Sequence, residues 1–119
     1  MEAFRQIEVE KFVQKSVVFL HNNFADWCAD KTPDDIEAFI YEMIAFGEQY
    51  EIKKQLNLQK LMFFKIEFGF DVPLVVELEG ILGEVEKNEG YRVKCFYKLL
   101  LSGDIVIKME KEERLDWLN

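Results

Sequence analysis

The chain has little of what most enzymes and most disulfide-stabilised extracellular proteins depend on. Its 119 residues include one histidine, two cysteines, two prolines and six glycines. A Ser–His or Cys–His mechanism would have to use the single histidine, His21. A structural zinc site needs four His or Cys ligands, and the whole chain has three. Because so few prolines and glycines leave little room for long linkers, we expect one domain over residues 1–119.

Positive charge is also scarce, since 15 Lys and Arg stand against 23 Asp and Glu and give a net charge of −8. Such an excess repels phosphate backbones and anionic lipid headgroups, so we expect neither a nucleic-acid partner nor a membrane surface. The simplest interpretation of the charge is solubility. The functional alternative is a partner with a basic surface, which charge complementarity would attract and orient.

Long hydrophobic runs are absent too. The longest, Leu61–Phe64 and Val72–Val76, are far shorter than the roughly 20 residues that a membrane-spanning helix needs. The first residues, "MEAFRQIEVEKF", do not place a basic segment before an apolar one, as a secretory signal does. We therefore expect a cytoplasmic protein in which Cys28 and Cys95 are reduced thiols.

What the chain does have is apolar surface, because half of its residues are hydrophobic and 11 are Phe. Apolar residues recur at three- and four-residue steps from Ala3 to about Cys28, which predicts a first helix. In "TPDD", Thr32 suits an N-cap, Pro33 suits the first helical position, and the two aspartates suit the positive end of the helix dipole. This signal predicts a second helix that ends near Gly47.

The phenylalanine-rich stretch "QKLMFFKIEFGFDVPL", Gln59–Leu74, fits two patterns. Every second residue of Phe64–Val72 is apolar, which is typical of a strand. The same stretch can also form a helix that is capped by Asn57 and ends at Gly69. Such a helix is apolar on nearly every side. Lys65 is the exception in the apolar arc, and its aliphatic stem would have to extend along the apolar surface so that its ammonium reaches water. We favour the helix, since its early residues have high helix propensity, and a helix apolar all round is a central, buried one.

The last third of the chain allows two interpretations. A helix starting with Asp71 or Val72 before Pro73 would bury the stripe Leu74, Val75, Leu78, Ile81 and Leu82, and another would contain Tyr91–Leu100. Alternatively, Tyr91–Leu100 and Asp104–Met109 form an antiparallel hairpin around Ser102–Asp104, because "DIVIKM" is rich in β-branched residues. We predict an all-α domain of about five helices around the Phe-rich one; the alternative is an α+β fold with a small C-terminal hairpin.

No group of residues predicts chemistry. His21 and Cys28 are seven residues apart on one helical face, but too few further ligands exist for zinc. The acidic groups lack the spacing and central glycine of a calcium loop, and no glycine-rich loop for phosphate is present. We therefore predict no catalytic residue, no metal site and no cofactor, and expect a binding protein that is not an enzyme.

The order of features over residues 24–82 resembles a known family. One predicted helix ends in "AFGEQYEI", a second ends in "FGFD", and Pro73 and the pair "IL" follow. This order resembles small all-α proteins encoded beside type VI secretion effectors in Gram-negative bacteria. The glycine that usually follows the aromatic residue of the first phrase is replaced here, because Glu51 follows Tyr50. The resemblance implies an all-α fold and an immunity or accessory role beside an antibacterial toxin, and it brings no catalytic residues.

These expectations combine into one functional prediction. We predict a cytoplasmic bacterial immunity protein. It would neutralise a cognate protein toxin that has a basic surface by forming a complex with it. The alternative is an adaptor or chaperone that loads an effector for secretion. A homodimer is compatible with the high apolar share. The candidate contact residues are Asp30, Asp34, Asp35, Glu84, Glu86, Glu89, Tyr91 and Trp117.

Overall fold

The computed structural model describes the backbone of residues 2–102 and the side chains of residues 8–102. It contains six helices, α1 (Glu2–Asn23), α2 (Ala25–Ala29), α3 (Pro33–Gln49), α4 (Gln55–Phe68), α5 (Val76–Leu82) and α6 (Glu89–Ser102). No strand occurs between residues 2 and 102. The predicted all-α class is confirmed for this part of the chain.

The first predicted helix is divided in two at Phe24, which has non-helical backbone angles. Its ring is buried and meets the edge of Phe63 with the ring centroids 4.6 Å apart. Just before the break, the Asn23 amide donates to the carbonyl of Phe19, so the side chain bonds to the last turn of α1. The break turns Phe24 into the core, and the short helix α2 follows.

Helix α3 begins as its sequence predicts. The Asp35 N–H donates to Thr32 Oγ1 at 3.1 Å, and the Thr32 N–H donates to Asp35 Oδ2 at 3.2 Å. This reciprocal pair is a capping box, and Pro33 occupies the first helical position, where no backbone donor is needed.

The end of α3 is a Schellman motif formed without glycine at the usual position. The Ile52 N–H donates to the Gly47 carbonyl at 2.8 Å, and the Glu51 N–H donates to the Glu48 carbonyl at 3.1 Å. Glu51 has a φ of 56°, in the left-handed region where a glycine is usual. The motif turns the chain back so that Ile52 is buried, and it ends α3 two residues later than Gly47.

Residues 59–68 of the phenylalanine-rich stretch lie in α4, and the strand interpretation of Phe64–Val72 is wrong. Helix α4 packs on α1, α3 and α6, and it buries Leu58, Leu61, Met62, Phe63 and Phe64. Gly69 ends the helix in the left-handed conformation, with a φ of 64°, as predicted. The predicted cap is wrong, since α4 begins at Gln55 and Asn57 lies inside its first turn.

Aromatic rings from four parts of the chain meet beside α4. Phe64 stacks on Tyr97 of α6 with the ring centroids 5.2 Å apart and the planes 15° apart. Phe70, which follows α4, meets the rings of both Phe96 and Phe46. Lys65 is half-buried, as its position in the apolar arc predicts; its Nζ donates to the Phe70 carbonyl and lies 5.1 Å from the centre of that ring.

The last two helices correct one prediction and decide between two interpretations. Helix α5 begins at Val76, three residues after Pro73, and Val75, in extended conformation just before the helix, is exposed instead of belonging to the buried stripe. Helix α6 contains Tyr91–Leu100, so the strand proposed there is wrong. The second strand of that hairpin, Asp104–Met109, lies outside the described residues.

Candidate partner-binding surface

The first predicted acidic group lies around the start of α3. Asp30 follows α2 as its C-cap, and Asp34 and Asp35 form the first turn of α3. All three side chains are exposed, and the Asp35 carboxylate accepts a hydrogen bond within the capping box. Carboxylates at a helix start also stabilise the helix dipole, so local structure accounts for this group without a partner.

The second predicted group lies on the segment between α5 and α6 and at the start of α6. Glu84 and Glu86 are exposed, and Glu84 forms an ion pair with Lys87 at 2.8 Å. The hydrogen bond from Lys87 to Glu84 and the charge of that carboxylate raise the pKa of the Lys87 ammonium. Lys87 Nζ also lies 5.6 Å from the centre of the half-exposed ring of Tyr91.

Glu89 differs from its acidic neighbours because its carboxylate caps another helix. The backbone N–H groups of Lys53 and Lys54, just before α4, donate to it at 2.9 and 2.8 Å, and Asn57 Nδ2 donates at 3.3 Å. Burial alone would raise the pKa of Glu89, but these hydrogen bonds and the charge of Lys54 bring it below its ordinary value. Glu89 is therefore the N-terminal cap of α4, supplied from α6.

Arg92, one turn further along α6, is a buried cation that the sequence did not single out. Its Nη1 donates to the carbonyls of Tyr50 and Leu82 at 2.7 and 2.8 Å, and its Nε donates to the Lys87 carbonyl at 3.0 Å. Tyr50 caps the end of α3, and Leu82 is the last residue of α5. Because helix ends carry unsatisfied carbonyls and partial negative charge, Arg92 joins the ends of two helices to α6.

The two predicted acidic groups are not brought together. The first lies at the start of α3, whereas Arg92 fixes the second beside Tyr50, just beyond the end of the same helix. A helix of 17 residues is about 25 Å long. A single small contact would therefore use one group or the other. Trp117, the remaining predicted contact residue, lies outside the described residues.

The sequence reasoning missed an exposed apolar surface. Among the described residues, eight large apolar side chains are exposed, and four of them lie between residues 72 and 85. We call this set the valine shoulder: Val72, Val75, Val76 and Val85. Their exposed fractions run from 48% for Val85 to 84% for Val76.

The valine shoulder lies beside two open surface depressions that share Gln49. Val76 and Val85 line one depression together with Tyr50, Gly80 and Gly83. Val72 lines the other, between the second half of α3 and the segment after α4. The two depressions make Val72, Val76 and Val85 parts of one surface along the α3–α5 side of the molecule, and Val75 directly precedes Val76.

The charge around this surface is mainly negative. Residues 71–86 contain no Lys or Arg and five acids, Asp71, Glu77, Glu79, Glu84 and Glu86, all of them exposed. Two cations lie at its edges and both have partners: Lys65 lines the depression of Val72 and donates to the Phe70 carbonyl, and Lys87 pairs with Glu84. Burial raises the pKa of the Tyr50 hydroxyl, and the charge of Glu79 raises it further. The arrangement can therefore receive an apolar group surrounded by cations.

Two residues considered for chemistry are separated by the fold. His21 is exposed near the end of α1, whereas Cys28 is buried in α2, on the other side of the break at Phe24. Burial raises the pKa of the Cys28 thiol, which keeps it protonated and unreactive. In the part of the chain that is described, no helix is both long and apolar enough to cross a bilayer.

No protein-family model, no curated protein and no solved structure matches this chain.

Proposed function

We propose that this protein binds a basic protein partner and that the partner is a cognate bacterial toxin, which the complex neutralises. The observation that carries the proposal is an exposed apolar surface, the valine shoulder, surrounded by carboxylates and free of Lys and Arg over residues 71–86. Apolar groups supply affinity, and an excess of negative charge around them speeds the encounter and selects partners of opposite charge.

The resemblance of residues 24–82 to proteins encoded beside type VI effectors supports the toxin as the class of partner. The conformation of Glu51 bears on one point of that resemblance. Glu51 takes the left-handed conformation that the family's usual glycine would take, so the phrase "AFGEQYEI" makes its turn despite the substitution. The proposal does not depend on a catalytic group, because an immunity protein acts by occupying a surface.

Two measurements with the protein encoded by the adjacent gene test this proposal. When both proteins are co-expressed, the chain should restore growth that the adjacent protein alone prevents. The purified pair should form a complex with a dissociation constant in the micromolar range or tighter. Lost protection together with no complex at micromolar concentrations would refute the proposal.

A folding control separates recognition from simple charge neutralisation. Leu61 is fully buried in α4, so Leu61→Asp should unfold the chain while making it slightly more acidic. We expect this variant to give no protection. Protection by the unfolded variant would mean that negative charge alone suffices, and the proposed recognition would be wrong.

The same assay separates an immunity protein from an effector-loading adaptor. An adaptor would bind the adjacent protein and leave its toxicity intact. We expect binding and protection to occur together, and binding without protection would favour the adaptor.

A further inference from the structure

We infer that the valine shoulder is the docking surface and that it receives a protein segment whose apolar side chain is flanked by Lys or Arg. The inference rests on the proposed function only in taking the partner to be a protein with a basic surface. It adds the place of contact, residues 71–86 with the facing part of α3, and it excludes the acidic group at Asp30, Asp34 and Asp35 as the main contact.

The apolar part of the argument is the concentration of exposed valines. Isolated exposed apolar residues are normal, and Val18, Tyr41 and Leu56 are spread over three other helices. In the valine shoulder, three of the four valines line two adjoining depressions. Contiguous exposed apolar surface with a polar rim is typical of protein contact sites.

The shape favours side chains of a protein over an enclosed small molecule. Both depressions are open to solvent, and Gln49 lines both of them. Small-molecule sites enclose most of their ligand, which an open depression cannot do. Two neighbouring side chains of a helix or an extended segment could each occupy one depression.

Charge decides which occupant fits. A second copy would bring five more carboxylates against the five of residues 71–86, which repel one another. Residues 103–119 of the same chain carry five acids and three bases, so their charge is also unfavourable. A basic segment has the complementary charge and is the occupant that we infer.

The direct test is an NMR titration of the full-length, ¹⁵N-labelled chain with a defined probe. The probe is an amphipathic peptide of 14 residues made of lysine and leucine, and its matched control replaces every lysine by glutamate. We expect saturable amide shifts in residues 71–86 and around Gln49 with the basic peptide and none with the acidic one. Raising NaCl from about 0.05 to 0.5 M should weaken binding about tenfold.

Matched variants separate the apolar and the charged contributions. Val76→Ser should weaken binding of the basic peptide about five- to tenfold, whereas Val18→Ser, at an exposed valine of α1, should leave it unchanged. The double variant Glu77→Gln with Glu79→Gln should reduce both the affinity and its salt dependence. The matched double variant Asp30→Asn with Asp34→Asn should not.

Several outcomes would overturn the inference. These are no saturable binding at millimolar peptide, shifts centred on Asp30–Asp35, or equal effects of Val76→Ser and Val18→Ser. Contacts between residues 103–119 and the valine shoulder in the free protein, or a dimer joined at residues 71–86, would show another occupant and would also overturn it.

The toxin assay keeps this inference distinct from the proposed function. If the adjacent protein binds and is neutralised while the variants Val76→Ser and Glu77→Gln with Glu79→Gln behave as the wild type, the inference fails and the proposed function stands. If the peptide docks on the valine shoulder but the adjacent protein is neither bound nor neutralised, the proposed function fails and the inference stands.

Discussion

At the scale of single residues, Glu89 acts on a helix remote from it in sequence. Its carboxylate accepts hydrogen bonds from the N–H of Lys54 at the start of α4, which has no intrahelical partner, and from the N–H of Lys53 just before the helix. Lys54, the N-cap residue of α4, makes no capping hydrogen bond through its own side chain. The start of the central helix therefore depends on an acid from α6.

Glu89→Gln should lower the free energy of unfolding by about 1 kcal/mol at pH 7, since an amide keeps the shape but loses the charge that the N–H groups favour. The folded-state pKa of Glu89 lies below its ordinary value. Its stabilisation is therefore complete above the unfolded pKa of about 4.3 and disappears as the pH falls through the folded value. Urea unfolding at a series of pH values measures this difference.

The control for that prediction is Glu86→Gln, which removes the same charge from an exposed position. It should change the free energy of unfolding by less than about 0.5 kcal/mol at every pH. The account of Glu89 would be contradicted by equal effects of the two variants, or by a difference that grows as the solution is acidified.

Glu51 is the second residue whose conformation is unusual. An L-residue in the left-handed region costs about 1 kcal/mol relative to glycine. Glu51→Gly should therefore raise the free energy of unfolding by up to about 1 kcal/mol, and Glu51→Val should lower it by about the same amount. Thermal and urea unfolding of both variants provide the measurement, and a Glu51→Gly variant less stable than Glu51→Val would refute the assignment.

Residue roles could be predicted from the sequence only where they are local. Thr32 and Asp35 are three residues apart, so their capping box was readable, and Gly69 follows the last turn of its own helix. Glu89 caps a helix more than 30 residues away, and Arg92 bonds to a carbonyl 42 residues away. No local pattern encodes either contact.

At the scale of elements, Arg92 is the link between three helices. Arg92→Leu would remove this donor from the buried hydrogen bonds to the Tyr50 and Leu82 carbonyls and from the part-buried one to the Lys87 carbonyl, and it should lower the free energy of unfolding by about 3 kcal/mol or more. Arg92→Lys keeps the charge, but a single ammonium cannot span three carbonyls, so it should lose roughly half as much. Urea unfolding of both variants measures these losses.

Lys94→Leu is the matched control, because Lys94 is an exposed cation of the same helix. It should change the free energy of unfolding by less than about 0.5 kcal/mol. If Arg92→Leu were as stable as Lys94→Leu, the three carbonyls would not depend on the guanidinium.

Helix type was predictable from periodicity, and helix boundaries were predictable only where a cap is encoded locally. The break at Phe24 was missed, because it brings the ring onto Phe63, far along the chain. The start of α5 was placed too early, and this error assigned Val75 to the core. The other three valines of the valine shoulder were not assigned to the core, but their exposure was not predicted either.

At the scale of the whole molecule, most large apolar side chains form the core, whereas the acidic side chains lie on the surface. The aromatic side chains Phe63 and Phe64 of α4 and Phe96 of α6 are fully buried. They stabilise the fold and are unavailable to a partner. The net charge of −8 is concentrated in part on residues 71–86, beside the valines that remain exposed. Recognition by this chain would therefore be carried by its acidic α3–α5 side.

The most direct test of this account is the dissociation constant of the complex with the protein encoded by the adjacent gene, measured by titration calorimetry at low and high salt. The account predicts binding at micromolar concentration or tighter in about 0.05 M NaCl and at least tenfold weaker binding in about 0.5 M NaCl. Absence of a complex at low salt, or an affinity that salt leaves unchanged, would contradict it.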